Sequence, residues 1–240
     1  MTTTVAMLYP GHAAEDDYAL IETALADRSI RLPVVITEVE SDDHTVEAML
    51  SVGESDRLLD GARRAAVWEP TSVMWACTSG SFLYGWEGAH QQVDRLTESC
   101  GLPASSTSLA FAAACAALGM TRVAVAATYP YAVAAGFGEF MTAAGVEVVA
   151  LHAHDVETAS EAGTLDGDGL FDMLSMSDSD DAQALLIPDT ALHTAMWVNG
   201  LEEKFGKPVL TANQVTVWQG LRLCGMSVFA PELGSLFASH

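Results

Sequence analysis

Val73-Met74-Trp75-Ala76-Cys77-Thr78-Ser79-Gly80-Ser81-Phe82 is an apolar run that stops at a cysteine and passes straight into small hydroxyl residues and a glycine. Read as a strand, it places Cys77 at its carboxyl end, where open α/β sheets build their ligand sites. The backbone N–H groups of Thr78, Ser79 and Gly80 then lie beside the thiol, ready to hold an anion. If those dipoles lower its pKa, the thiolate is a strong nucleophile or base.

Working outward, the same pattern returns in Leu185-Leu186-Ile187-Pro188-Asp189-Thr190-Ala191, 112 residues later (189 − 77). Other landmarks repeat in the same order. Val5 to Pro10 and Val125 to Pro130 both end in Tyr-Pro, 120 residues apart (130 − 10). The β-branched runs Leu32 to Glu40 and Val146 to His154 follow them. Gly101-Leu102-Pro103 pairs with Gly206-Lys207-Pro208, and Gly119-Met120 with Gly225-Met226. Five ordered pairs point to an internal duplication of an α/β half. The expected fold is α/β: two pseudo-symmetric, doubly wound domains with parallel sheets and an active site in the cleft between them. The final helix, Gln214 to Leu223, is expected to cross back onto the first half. This gives domains of 1–107 plus 214–240 (the Cys77 half) and 108–213 (the Asp189 half).

Half of the 240 residues are apolar, enough for a sizeable core. Ser175 to Asp181 reads as a solvated loop, and Leu109 to Met120 as a buried helix too short for a membrane span. The amino terminus has no basic flank and leads straight into a strand, so a cytoplasmic chain is expected. Ten basic residues against 32 acidic ones give a net charge of −22. Nucleic acid is therefore not an expected partner, and neither is a membrane. Cys77, Cys100, Cys115 and Cys224 form no CxxC pair and have no zinc-like His spacing, so free thiols and no metal are expected. GxGxxG, GxxxxGK[ST], GxSxG and HExxH are all absent. Glu15 to Asp27 reads as an amphipathic helix with an acidic start.

The Ala76-to-Phe82 segment (ACTSGSF), the Tyr-Pro strand ends and the Gly-x-Pro-(x)4-Asn-Gln pattern within Gly206 to Trp218 (GKPVLTANQVTVW) together resemble the Asp/Glu racemase superfamily. The similarity covers nearly the whole chain and is nearest to the branch of maleate cis-trans isomerase and arylmalonate decarboxylase. It implies a cofactor-independent enzyme with one catalytic Cys at each pseudo-symmetric strand end. Cys77 matches the first; Asp189 stands where the second would be. The expected activity is isomerisation, of cis-trans or racemase type, of a small carboxylate or dicarboxylate, with Cys77 as nucleophile or base and Asp189 moving the proton. The alternatives are cofactor-free decarboxylation of a malonate-type diacid and a non-catalytic ligand-binding relative. The single-cysteine decarboxylase pattern keeps the second position rather than the first.

The resemblance also implies a carboxylate cradle of Thr78, Ser79, Tyr131 and Thr190. Thr128-Tyr129-Pro130-Tyr131 carries one Tyr more than that pattern. Pro10 and His12 end the first strand beside the cleft, where maleate-acting members have an Asn. Another Asn expected near Val156 to Thr158 is also missing. Asn213 reads either as a substrate contact or as an interdomain hydrogen bonder. Asp189 reads equally as a catalytic group or as the N-cap of a helix through Thr190-Ala191-Leu192-His193. Exposed apolar helix faces would suit a homodimer or a higher homo-oligomer.

Overall fold

The computed structural model describes residues 2–11 and 13–238 of the 240. Nine strands and twelve α-helices alternate through these residues. The strands are β1 (Thr3–Pro10), β2 (Ile30–Arg31), β3 (Val34–Thr37), β4 (Ser72–Trp75), β5 (Ala104–Ser106), β6 (Arg122–Ala127), β7 (Glu147–Ala153), β8 (Ala184–Ile187) and β9 (Val209–Thr211). In the first half the helices are α1 (Asp17–Ala24), α2 (Val46–Val52), α3 (Ser55–Ala65), α4 (Ser79–Phe82), α5 (Gly85–Cys100) and α6 (Thr107–Ala117). In the second half they are α7 (Tyr131–Ala143), α8 (Ala159–Ala162), α9 (Gly167–Ser177), α10 (Val198–Phe205), α11 (Ala212–Leu223) and α12 (Ser235–Ala238).

The duplication is plain in the pairing. One sheet runs β3-β1-β4-β5, with the two-residue β2 also on β1; the other runs β7-β6-β8-β9. Every named strand pair is parallel. Strands such as β4 and β8 are buried throughout, which is why they read as unbroken apolar runs instead of alternating ones. The repeated glycines share a cause. Gly101 and Gly206 end α5 and α10 with φ of 66° and 67°, a left-handed conformation in which a Cβ is costly.

The two halves are joined through helices. α11 packs on β4 and β5 of the first sheet and on α6, and Ser72 donates to the carbonyl of Gly220 at 3.0 Å. A Cβ on Gly220 would sit 2.4 Å from a Val5 methyl, so this crossing requires glycine. Thr107 and Thr216 meet hydroxyl to hydroxyl at 2.7 Å between α6 and α11.

Several boundaries differ from expectation. α1 is shorter than Glu15 to Asp27 and leaves helical geometry before Ala26, which adopts a positive φ. α9 runs to Ser177, so only the later part of the acidic tract is loop. Among the described residues no helix is long and apolar enough to cross a membrane.

Candidate active site

Each sheet delivers one ionisable side chain from the same place. Cys77 and Asp189 both lie two residues beyond the end of their strands, β4 and β8, and both line one cavity. Pro10, Ser79 and Thr190 line it too, together with Tyr9, Gly11, Tyr129 and residues of the 39–44 and 159–160 loops.

Cys77 is 4 % exposed. Its Sγ accepts the Gly80 N–H at 3.3 Å and lies 3.8 Å from the Ser79 hydroxyl. Gly80 permits that approach, since a Cβ there would lie 3.1 Å from the sulfur. Burial nonetheless outweighs these donors, and the nearby Asp189 charge adds to it. The thiol pKa is pushed up to about 11. The expectation of a lowered pKa is therefore corrected: the resting group is a thiol, suited to giving a proton.

Asp189 is 4 % exposed. Thr128 donates its hydroxyl to Oδ2, and the Ala191 N–H donates to Oδ1 at 2.9 Å. Two donors aimed at two oxygens suit a carboxylate. The N-cap reading is corrected, because 190–197 form turns and α10 begins only at Val198. Asp189 closes a local turn to Ala191 instead, which leaves it at the cavity wall. For the same reason His193 lies in this loop and not on a helix, with Nε2 2.8 Å from Asp16 Oδ1 and Nδ1 3.2 Å from the Gly163 carbonyl.

Three expected substrate-binding residues need correction. Tyr131 is 68 % exposed and does not line the cavity, because Pro130 turns the chain into α7 and sends its ring outward. Tyr129 occupies the wall instead and donates to the Pro188 carbonyl at 2.5 Å. Thr78 is wholly buried and outside the cavity lining. Asn213 is also wholly buried. Its amide donates to Asp17 Oδ2 at 2.9 Å and to the Thr190 and Leu192 carbonyls, and its Oδ1 accepts the Tyr18 hydroxyl at 3.0 Å. Both of its N–H hydrogens are committed, and it is not part of the cavity lining. His12 lies outside the described residues.

Sequence reading missed the groups that shape this wall. Tyr9 accepts the Ala14 N–H at 2.9 Å and donates to the Thr190 carbonyl at 3.1 Å, tying β1 to the Asp189 loop. Burial raises the pKa of both Tyr9 and Tyr129, keeping them hydroxyls. Asp17 holds the same loop through the Thr194 and Ala195 N–H groups, at 3.2 and 3.1 Å. Ser41-Asp42-Asp43-His44 crosses the cleft as a strap. The Ala159 N–H reaches the Asp42 carbonyl at 2.9 Å, and the His44 N–H reaches the Glu157 carbonyl at 2.7 Å. The Ser160 hydroxyl donates to Asp42 Oδ2 at 2.5 Å, holding that carboxyl below its usual range. The Tyr-Pro repeat was the available signal for Tyr9 and Tyr129; nothing in local sequence marks the strap. Among the described residues no group of three or more His, Cys, Asp or Glu could hold a metal ion.

Comparisons fit this geometry. A liganded double variant of arylmalonate decarboxylase superposes with a TM-score of 0.85 at 25 % identity, covering 99 % of each chain. A maleate isomerase variant from Pseudomonas putida S16 with maleate gives 0.88 at 17 %, covering 100 % of this chain and 98 % of the other. A maleate cis-trans isomerase variant from Nocardia farcinica, bearing a covalent succinylcysteine intermediate, gives 0.87 at 19 %, covering 99 % and 98 %. No curated protein sequence matches. The sequence model for arylmalonate decarboxylase matches residues 47–237, which span both strand-end positions, and the chain belongs to that family.

Proposed function

We propose that the chain is a cofactor-independent isomerase of racemase type, moving the α-proton of a small monocarboxylate between faces. The observation that carries this reading is that Cys77 and Asp189, from equivalent strand ends of the two halves, line one cavity. In the resting protein Asp189 is the acceptor and Cys77 the donor. The Asp189 carboxylate takes the α-proton, and the electron pair moves into the carboxylate to give an enediolate. The hydroxyls of Ser79 and Thr190 hold that developing charge, the kind of interaction that supplies much of the catalysis in such sites. The Cys77 thiol then delivers its proton to the other face; the thiolate regains a proton and Asp189 releases the one it took, by transfer through solvent, before the next turnover.

Charge supports a monoacid. The lining contains Asp42, Asp43 and Asp189 but no Lys or Arg, so a dianion would meet like charge with little to offset it. The double variant of arylmalonate decarboxylase has a glycine-to-cysteine and a cysteine-to-serine change 114 positions apart (188 − 74). The present pair carries its only thiol on one side of a spacing of 112 (189 − 77).

The test is deuterium uptake at the α-carbon of 2-phenylpropanoate in D₂O, followed by NMR. Uptake with loss of optical activity is the expected result, and Cys77→Ala should abolish the loss of optical activity; racemisation unchanged in that variant removes the mechanism. Family membership favours a second reading, decarboxylation of a 2-substituted malonate, in which Cys77 alone protonates the enediolate. Release of CO₂ from 2-methyl-2-phenylmalonate that survives Asp189→Asn would select it.

A further inference from the structure

The strand-end side of the cavity lining contributes three groups able to donate, the thiol of Cys77 and the hydroxyls of Ser79 and Thr190, beside the Asp189 carboxylate. The strap and Ser160 contribute mainly acceptors, with the Ser41 hydroxyl among them. Asp42 is held as a carboxylate by the Ser160 hydroxyl, whose hydrogen is spent on that bond, leaving its oxygen able only to accept. Asp43 adds a second carboxylate at the mouth.

His44 completes this side. It is 5 % exposed and lines the cavity, with its ring edge-on to Tyr129 at a centroid distance of 5.1 Å. Its Nδ1 lies 2.9 Å from the Val156 carbonyl. A carbonyl can only accept, so Nδ1 carries a proton, and in that tautomer Nε2 is the lone-pair nitrogen. Among the described residues Nε2 has no hydrogen-bond partner. The residue lines the cavity, so a ligand there can supply the partner.

We propose that His44 is a specificity-determining residue whose Nε2 accepts a hydrogen bond from a hydroxyl or ammonium group on the substrate's substituent. The substrate class is then a monocarboxylate carrying a hydrogen-bond donor beyond the α-carbon. A purely hydrocarbon acid leaves Nε2 desolvated and unpaired, and a diacid brings a second negative charge against Asp42 and Asp43. The inference rests on the proposed α-proton chemistry for which group is the reacting carboxylate, but it is tested by binding alone.

Four acids sharing one skeleton serve as probes in titration calorimetry: 2-methylbutanoate, 3-hydroxy-2-methylpropanoate, 3-amino-2-methylpropanoate and methylsuccinate. With the wild-type chain the hydroxy and amino acids should bind about three- to tenfold more tightly than 2-methylbutanoate, the range of one net hydrogen bond, and methylsuccinate most weakly. His44→Leu should erase the hydroxy-acid preference. His44→Gln, whose amide oxygen can accept, should restore part of it. Near-ultraviolet circular dichroism confirms that each variant is folded. Equal binding of 2-methylbutanoate and the hydroxy acid, tightest binding of methylsuccinate, or no binding of any probe overturns the proposal. So does a gain confined to the amino acid and retained in His44→Leu, which assigns selectivity to Asp42 and Asp43 alone. Failure of the α-proton chemistry shows separately, as racemisation that ignores Cys77→Ala.

Discussion

The two halves share one strand order and one placement of an ionisable residue, yet they dress that residue differently. Cys77 sits among a glycine N–H, a serine hydroxyl and apolar walls, and its burial keeps the proton on sulfur. Asp189 sits between Thr128 and Ala191, both donating, which suits a charge. A duplicated scaffold thus offers two equivalent positions and fills them with unlike groups, which the proposed mechanism uses as a proton donor in one half and a proton acceptor in the other. The asymmetry comes from local donors and side-chain type, because the backbone framework is the same.

The sharpest way to break this contrast is Cys77→Ala. It should lower racemisation by about 10³-fold or more, the upper range for removing a positioned acid or base, while the thermal unfolding midpoint stays near wild type. Asp189→Asn should cost about 10²-fold in exchange, and Asp189→Cys, which makes the halves alike, should recover part of it. An Asp189→Asn variant with wild-type exchange rates would reduce Asp189 to a loop support.

Asn213→Ala tests the structural side. It strips partners from Tyr18, Asp17 and two carbonyls at once, and should destabilise the fold by about 3 kcal/mol, read by denaturant titration. Because the same network holds the Thr190–Ala195 loop, activity at low temperature should fall less than stability does.

Alkaline pH probes Cys77 without substitution. Its pKa is higher folded than the ordinary value of 9.0, at about 11. The associated stability is complete below about pH 9 and is lost as pH rises through about 11. Iodoacetamide modification of Cys77, mapped by mass spectrometry, should accelerate toward pH 11; an inflection near the ordinary value of 9.0 would contradict the buried thiol. The smallest effect is expected from Tyr131→Ala, a surface change within about 0.5 kcal/mol and without consequence for exchange.

The Thr128-Tyr129-Pro130-Tyr131 segment shows where reading from sequence stops. The family-like pattern pointed to Tyr131, and the extra Tyr marked the place as unusual. Which of the two rings entered the cavity depended on where β6 ends and where Pro130 starts α7. A shift of one or two residues turns a side chain to another face. Asp189 met the same limit. Asp-Thr-Ala-Leu is a good helix opening by local preference, but Asp17 and Asn213, 172 and 24 residues away (189 − 17 and 213 − 189), hold the following loop in turns.

The sequence by itself determined the duplication, the parallel α/β layers and the two strand-end residues. These follow from apolar runs, glycine punctuation and repeated order, all local properties of the chain. Only the tertiary structure decided that both residues share one cavity and that burial outweighs the thiol's hydrogen bonds. It alone placed Tyr9, Tyr129 and the His44 strap around them. Those outcomes depend on contacts between segments more than a hundred residues apart and on how much water they exclude, and neither is written in any short stretch of residues.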